Sequence, residues 1–417
     1  MIKQPGSTPL LFASLCASVL TTLTMLGGCD IRINDKEITG SGKTATEVRT
    51  VTAFDAISNA TPFNVVVTAA GVLTVEVTGD DNLLAEVETI VEGDTLVLRN
   101  KRKGGIHSSW NHTPVAIKIT MPLLTKMDNT GSGDIKLSQL HGDKLALTLD
   151  GSGDIQASGT VTETQVHANG SGDLDLAQLR TGKLTLNQNG SGDIHLNGIT
   201  QSLEVNMNGS GDLEAGGLQL DSVVLHVQGS GSATLNGIIK SLTAELSGSG
   251  DLFIDRLLAD QATLIMNSSG EVKLTGEVKQ LVVTANGSGD FDASKLQVDS
   301  AVLKNLGSAN MSLSTINGSL KAEFSGSGDL EAELKSASQI DVSIKAPGSL
   351  TLTGSAKNLT ALLSGSGDLH ATSLILEHAS VKVTGPGEAE VNVKSASSEK
   401  NSVATRMVKI DRTGVVQ

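Results

Sequence analysis

The chain contains no cysteine beyond residue 29; its only two are Cys16 and Cys29. A thiol nucleophile, a cysteine-based zinc site and a disulfide staple are therefore excluded together from everything that follows. Tyrosine is absent, tryptophan occurs once, and aromatics make up 2% of residues. A core must then be built from Val, Leu, Ile and Ala, and few ring platforms remain on which a sugar could stack. Positive charge is also sparse: 31 Lys and Arg stand against 45 Asp and Glu, for a formal net charge of −14. Nucleic acid is excluded as a partner, because neutralising phosphates needs clusters of Lys and Arg that this chain does not show. Within residues 131–393 the only arginines are Arg180 and Arg256, and the histidines (His141, His167, His195, His226, His370, His378) fall at different phases of the repeat described next. No nucleophile, base and orienting group can be assembled from such spacing, and the chain reads as non-enzymatic.

What the chain has is glycine, 46 residues of it, and a period. Gly131-Ser132-Gly133-Asp134 returns, intact or eroded, at residues 151, 170, 190, 209, 229, 248, 268, 287, 307, 326, 346, 365 and 385, with spacings that alternate 20 and 19. Such a period signals a solenoid, whose repeats cannot bury an apolar face alone and must stack. Between the motifs apolar residues alternate with polar ones, as in Ile135-Lys136-Leu137 and Leu145-Ala146-Leu147-Thr148-Leu149, with a turn expected at His141-Gly142-Asp143-Lys144. This is the pattern of short strands with one buried face. Alternate half-units share a glycine after the first strand, at Gly159, Gly198, Gly237, Gly276 and Gly354. That glycine marks a tight or positive-φ backbone.

The fourth motif position divides into two classes. Asp134, Asp173, Asp212, Asp251, Asp290, Asp329 and Asp368 are all aspartate, whereas the alternate class begins at Asp154 and Asp193 and drifts to Ser232, Glu271, Asn310, Ser349 and Glu388. Independent drift favours two separate columns, hence a 39-residue coil of four strands and a rod of about 30 Å; coils of about 20 residues would give about 65 Å at a ~4.8 Å rung spacing. The aspartates are expected to accept N–H bonds from their own tight turns. Calcium is the alternative, since stacked carboxylates suit a hard cation. Two carboxylates ~5 Å apart repel by roughly 1 kcal/mol in water and ~3 kcal/mol at an effective dielectric of 20, so the column needs donors, staggering or cations.

Ahead of the repeats, residues 1–28 read as a signal peptide: Lys3 supplies a basic start, Leu10 to Leu26 are largely apolar, and Leu26-Gly27-Gly28-Cys29 resembles a bacterial lipobox. The resemblance implies cleavage before Cys29 and lipid attachment there, making the membrane a partner. Residues 29–47 read as a tether; Gly40-Ser41-Gly42-Lys43-Thr44 within it fails as a P-loop because Glu37 stands where the motif needs its first glycine. Residues 48–130 read as an N-terminal β cap with strands at 63–67, 73–77, 95–98 and 115–119 and a short Asx-capped helical turn over 80–87. Its loop 101–112 gathers Lys101, Arg102, Lys103 and Trp110. An anionic contact surface and a solvated hairpin loop are both open for it. Residues 394–417 form either a tail or a second cap.

Phe54-Asp55-Ala56-Ile57, Gly79-Asp80-Asp81-Asn82-Leu83-Leu84, Gly93-Asp94-Thr95-Leu96 and Pro114-Val115-Ala116-Ile117, followed by serial Gly-Ser-Gly-Asp, resemble the GIN-domain family of auto-transporter adhesin heads. The resemblance runs from about Val48 to Val393 and implies an all-β, right-handed single-stranded parallel β-helix, often on exported proteins and able to oligomerise. Two functions follow as expectations: a lipid-anchored envelope adhesin or interaction scaffold with a protein or cell-surface partner, and a purely structural periplasmic lipoprotein.

Overall fold

The computed structural model describes residues 38–101, 113–395, 404–410 and 415–416. The chain is all-β, a solenoid of about 13 turns. Its plan is set by three successive strands, β9 (Ile135–Leu149), β10 (Ile155–Ala168) and β11 (Leu174–Gln188). β10 lies parallel to both of the others, with Ile155 opposite Ile135 on one side and Leu174 on the other. One coil is therefore 19 or 20 residues. The 39-residue coil is overturned, and about 13 turns at ~4.8 Å each give a rod of roughly 60 Å.

The alternation of 20 and 19 has a different cause. Opposite Ala157 and Gly159 of β10 stand Leu137 and Leu140 of β9, so the longer coil inserts one extra residue as a β-bulge at the bend. Gln139 in that bulge has φ 57°, and its counterparts Gly217 and Arg256 in later long coils have 59°; in a further long coil the bulge lies two places on, at Ser336 (57°). The short coils answer with the glycine column, all at positive φ: Gly159, Gly198, Gly237, Gly276 and Gly354. A Cβ on Gly159 would collide with the carbonyl of Leu140 in the bulge beneath it. Long and short coils are thus non-equivalent neighbours, which is why the sequence repeats every two coils although the chain closes every one. The turn expected at His141–Lys144 is not a break: β9 runs through it, bending at Gln139 and Gly142.

Each coil has two arms joined by this bend and, at the other end, by the Gly-Ser-Gly corner. Alternation turns every second side chain inward, and like residues stack: Leu147, Val166, Leu186, Val205 and Leu225 form one buried column, each opposite the next. Fully burying each contributes about 1.5–3 kcal/mol. With so few aromatics only Phe291 and Phe324 add larger volumes inside the repeats.

Both ends depart from parallel stacking. At the N-terminus lie β1 (Thr44–Val48), β2 (Ala56–Asn59), β3 (Asn64–Ala69), β4 (Thr74–Asp80), a 3-10 turn (Leu84–Glu86), β5 (Val87–Glu92), β6 (Thr95–Asn100), β7 (Ala116–Met121) and β8 (Lys126–Asn129). β3 pairs in parallel with β9, β7 with β3, and then β4 and β1 add antiparallel. On the other arm β8, β2 and β6 stack in parallel before β5 pairs antiparallel with β6. At the far end, Ala404–Ile410 pairs antiparallel with Ala389–Ser395, and Val415–Val416 with Val381–Lys382. Two expectations change here. The 3-10 turn begins at Leu83 with no side-chain cap, because Asp80 is the last residue of β4 and is buried. The tether is shorter than 29–47, because β1 is part of the sheet and residues 39–43 are docked: Asn82 Oδ1 accepts from Ser41 N (2.9 Å), Asp81 Oδ1 from Ser41 Oγ (2.6 Å) and Asp80 Oδ2 from Gly42 N (3.2 Å).

Candidate functional site

The Gly-Ser-Gly corner brings all members of the motif into one line. Successive corners bond through their backbones, with Ser171 N donating to Gly151 O, Ser191 N to Gly170 O and Ser210 N to Gly190 O, each at 3.2 Å. The approach is so close that a Cβ on Gly190 or Gly209 would overlap the glycine carbonyl of the coil beneath. Ser268, Ala309 and Ala346 are the exceptions in the glycine positions. Ser268 shows the cost: its hydroxyl is buried without a hydrogen-bond partner among the described residues.

At the fourth position the two classes of residue form a single ladder. Asp154 N donates to Asp134 Oδ1 (3.2 Å), Asp173 N to Asp154 Oδ1 (2.8 Å), Asp193 N to Asp173 Oδ1 (2.8 Å) and Asp212 N to Asp193 Oδ1 (2.9 Å). Beyond it, Ser232 N donates to Asp212 (2.8 Å), Glu271 N to Asp251 (2.7 Å), Asn310 N to Asp290 (2.9 Å), Ser349 N to Asp329 (2.8 Å) and Glu388 N to Asp368 (2.7 Å). The expected bond from each aspartate's own turn is corrected: the donor is the N–H one coil ahead. The neutral members accept too, at longer range, through Ser232 Oγ (3.3 Å), Asn310 Oδ1 (3.1 Å) and Ser349 Oγ (3.4 Å). Apart from the 3.2 Å bond to Asp134, the charge-assisted bonds are the shorter ones, as expected of an ionised acceptor.

The ladder starts earlier than the motif does. Asp134 N donates to Asn64 Oδ1 (3.0 Å), and the corner beneath Gly131–Asp134 is Ala60-Thr61-Pro62-Phe63-Asn64. Sequence reading misses this corner, because it lies 70 residues upstream and carries no glycine; the available signal was Asn64 leading an alternating strand. Behind the corners, buried amides close the remaining carbonyls: Asn129 Nδ2 donates to Gly133 O (3.2 Å), Gln188 Nε2 to Gly192 O (2.6 Å) and Asn305 Nδ2 to Ala309 O (2.6 Å). In front of them runs an asparagine ladder, in which Asn169 donates to Asp150, Asn189 to Asn169 and Asn208 to Asn189 at 2.7–2.9 Å.

Chemically this arrangement is a fastening. One oxygen of each column aspartate is committed to a backbone N–H, and among the described residues no group of three or more His, Cys, Asp or Glu could hold a metal ion. The carboxyl displaced furthest is Asp292, held well below the usual carboxylate range by the Lys273 ammonium at 2.6 Å and by Ser294, an ion pair on an outer face. A second charge ladder runs along the bend, where Lys240 pairs with Asp221 (2.7 Å) and Lys279 with Asp260 (2.6 Å). Lys101 is exposed, with its N–H on Glu86 O (2.9 Å). Arg102, Lys103, Trp110 and Cys29 lie outside the described residues, as does the signal segment 1–28. No helix among the described residues is long and apolar enough to cross a membrane.

Ladder, bulge and stacked aliphatic core define a parallel β-solenoid whose repeats are fastened coil to coil. Residues 53–256, 240–333 and 317–400 match the family described as putative auto-transporter adhesin, head GIN domain, and the chain belongs to that family. No curated relative matches the chain. Among solved structures it is similar to a putative adhesin from Bacteroides fragilis (18% identity, covering 80% of this chain and 99% of that one, TM-score 0.26). Others are a putative adhesin and a putative lipid binding protein, both from Parabacteroides distasonis (each 16% identity; 82% and 84% of this chain, 99% and 98% of those; TM-scores 0.29 and 0.25). Family and fold support a non-enzymatic, adhesin-like protein of the cell envelope or surface.

Proposed function

We propose that the chain is a lipid-anchored, non-enzymatic envelope scaffold, acylated at Cys29, that presents the outer faces of its solenoid to a protein or cell-surface partner. The observation that carries this reading is the use of the corner column: its polar groups are spent on holding coils together, and the large surfaces left are the flat outer faces of the two arms. Residues 39–48 support the anchoring half, since they bind the N-terminal end of the rod through Asp80, Asp81 and Asn82. A lipid at Cys29 would therefore tie the rod to the membrane through its N-terminal end.

Metabolic labelling with a radioactive fatty acid tests the anchor: the wild type incorporates label and Cys29→Ala does not. Protease added to intact cells tests presentation, and digestion of the solenoid supports the scaffold. A chain protected until the envelope is opened would instead identify the purely structural periplasmic lipoprotein. Calcium is the remaining alternative for the Asp134–Asp368 column. An unchanged melting temperature between excess chelator and millimolar Ca²⁺ is the expected result, and a rise of several degrees with Ca²⁺ would revive it.

A further inference from the structure

One outward column of the second arm runs without charge over five coils. Val224, Thr243, Thr263, Val282 and Val302 lie side by side on five successive coils. Glu204 precedes Val224 in the same column and Lys321 follows Val302. Beside them runs a second outward column, His226, Glu245, Ile265, Thr284, Lys304 and Glu323, whose member at the centre, Ile265, is 38% exposed and neighbours Thr263 along the strand. Nothing in the described residues covers this strip. β-Branched side chains on neighbouring rungs make a flat, stiff surface.

The order of residues in the strip is antisymmetric in charge about its centre. Counting rungs from Thr263, Val282 and Thr243 stand at one step, Val302 and Val224 at two, and Lys321 and Glu204 at three. From this we infer that the strip is a self-association surface, and that its occupant is a second copy of this chain, packed face to face with its rod antiparallel about a two-fold axis at Thr263. In that arrangement each column meets itself reversed: Val302 faces the partner's Val224, Val282 faces the partner's Thr243, and Lys321 meets the partner's Glu204 at both ends of the patch. In one molecule Glu204 makes no ion pair among the described residues, whereas Lys321 pairs with Glu323 (2.8 Å) on the same exposed face. Parallel packing would place Glu204 against the partner's Glu204 and Lys321 against the partner's Lys321, which like-charge repulsion disfavours. The seven rungs cover about 29 Å by the ~17 Å width of the arm. That is on the order of 1,000 Å² buried in total, the lower bound for a specific interface and appropriate to a weak, reversible dimer.

This inference does not rest on anchoring or adhesion, and its test works on the full chain wherever it resides. Packed sheets stand ~10 Å apart, within reach of a short bismaleimide, and no native thiol lies beyond Cys29. Thr263→Cys, on the axis, is expected to cross-link to itself in membranes or lysate of the producing cells. Val224→Cys alone, whose copies lie about 19 Å apart along the rod in this geometry, is expected not to. A mixture of Val224→Cys and Val302→Cys chains is expected to cross-link. Glu204→Lys in the Thr263→Cys background should cut the yield about tenfold, and adding Lys321→Glu should restore it. No cross-link at Thr263→Cys, equal cross-linking by Val224→Cys alone, or failure of the charge swap to restore the yield would each overturn the proposal. Unchanged urea unfolding of each variant confirms that the solenoid itself is intact.

Discussion

The corner column has two regions that solve the same problem differently. From Asp134 to Asp212 five aspartates follow one another on consecutive coils; from Ser232 onward every second place is Ser, Glu or Asn. Both regions keep the ladder, through carboxylate oxygens in the first and through alternating carboxylate and neutral oxygens at Ser232, Asn310 and Ser349 in the second. The backbone N–H therefore needs an acceptor of the right reach, which a neutral oxygen can supply as well as a carboxylate. Glu271 marks the limit: no hydrogen bond joins its side chain to Asp290 N, whereas Asp251 and Asp290 on either side both serve the coil above. What the first region gains in shorter bonds it loses in repulsion between carboxylates about 5 Å apart, roughly 1 kcal/mol per pair in water.

The largest expected effect breaks both regions alike. Gly209→Val puts a branched side chain where a Cβ already overlaps the Gly190 carbonyl, and should cost about 4 kcal/mol or more, because two coils must part. Loss of amide protection over neighbouring coils in hydrogen exchange would register it, and normal protection would show that the corner is looser than its geometry. The reverse change is available in the second region. Ser268→Gly removes a buried hydroxyl that has no partner, and is expected to stabilise by about 1 kcal/mol after the added chain entropy of glycine is subtracted. A lower urea midpoint for this variant would mean that the hydroxyl is satisfied.

A single substitution made in both regions sharpens the comparison. Asp173 stands between Asp154 and Asp193, whereas Asp329 stands between Asn310 and Ser349. Asp173→Asn keeps an acceptor and relieves two repulsions, so stability should change by less than about 0.5 kcal/mol. Asp329→Asn relieves none and gives up a charge-assisted bond, at about 0.5–1 kcal/mol. Exchange rates of the Asp193 and Ser349 amides read the two directly. Equal effects would remove charge from the account.

Much of this was legible in the residues. The period, the inward alternation and the positive-φ glycines at 159, 198, 237, 276 and 354 follow from pattern and steric principle, and each stands in the structure. The coil length was not legible, because a sequence period measures chemical equivalence, and a bulge at Gln139 makes adjacent coils chemically unequal while they remain geometrically successive. The corner at Asn59–Asn64 was hidden for a different reason. Its coil is interrupted by the excursion through β4 to β7, so the partner of Asp134 is 70 residues away and shares only its acceptor. Of the contact loop, Lys101 alone falls among the described residues.

The smallest effect concerns pairing on the outer face, where charge acts without the ladder. Lys273 and Asp292 lie opposite each other on adjacent coils, and their bond lowers the Asp292 carboxyl and raises the Lys273 ammonium. The depressed carboxyl contributes stability that is present above its unfolded pKa, near 3.9, and is lost as pH falls through the lower folded value. The raised ammonium contributes stability that is present below about 10.4 and is lost as pH rises through its folded value. Between about pH 5 and 9 the pair is therefore constant, and its exposure keeps its contribution small. Lys273→Met should lower the urea midpoint slightly and evenly across that window. The gap from the wild type should begin to narrow below about pH 4, where the unfolded carboxyl takes its proton while the folded one keeps its charge, and go on narrowing as pH falls toward the depressed folded value. A gap that stayed undiminished at pH 2 would mean that Lys273 supports the coil through the packing of its stem, and that exposed pairs on the faces add nothing to what the corners already hold.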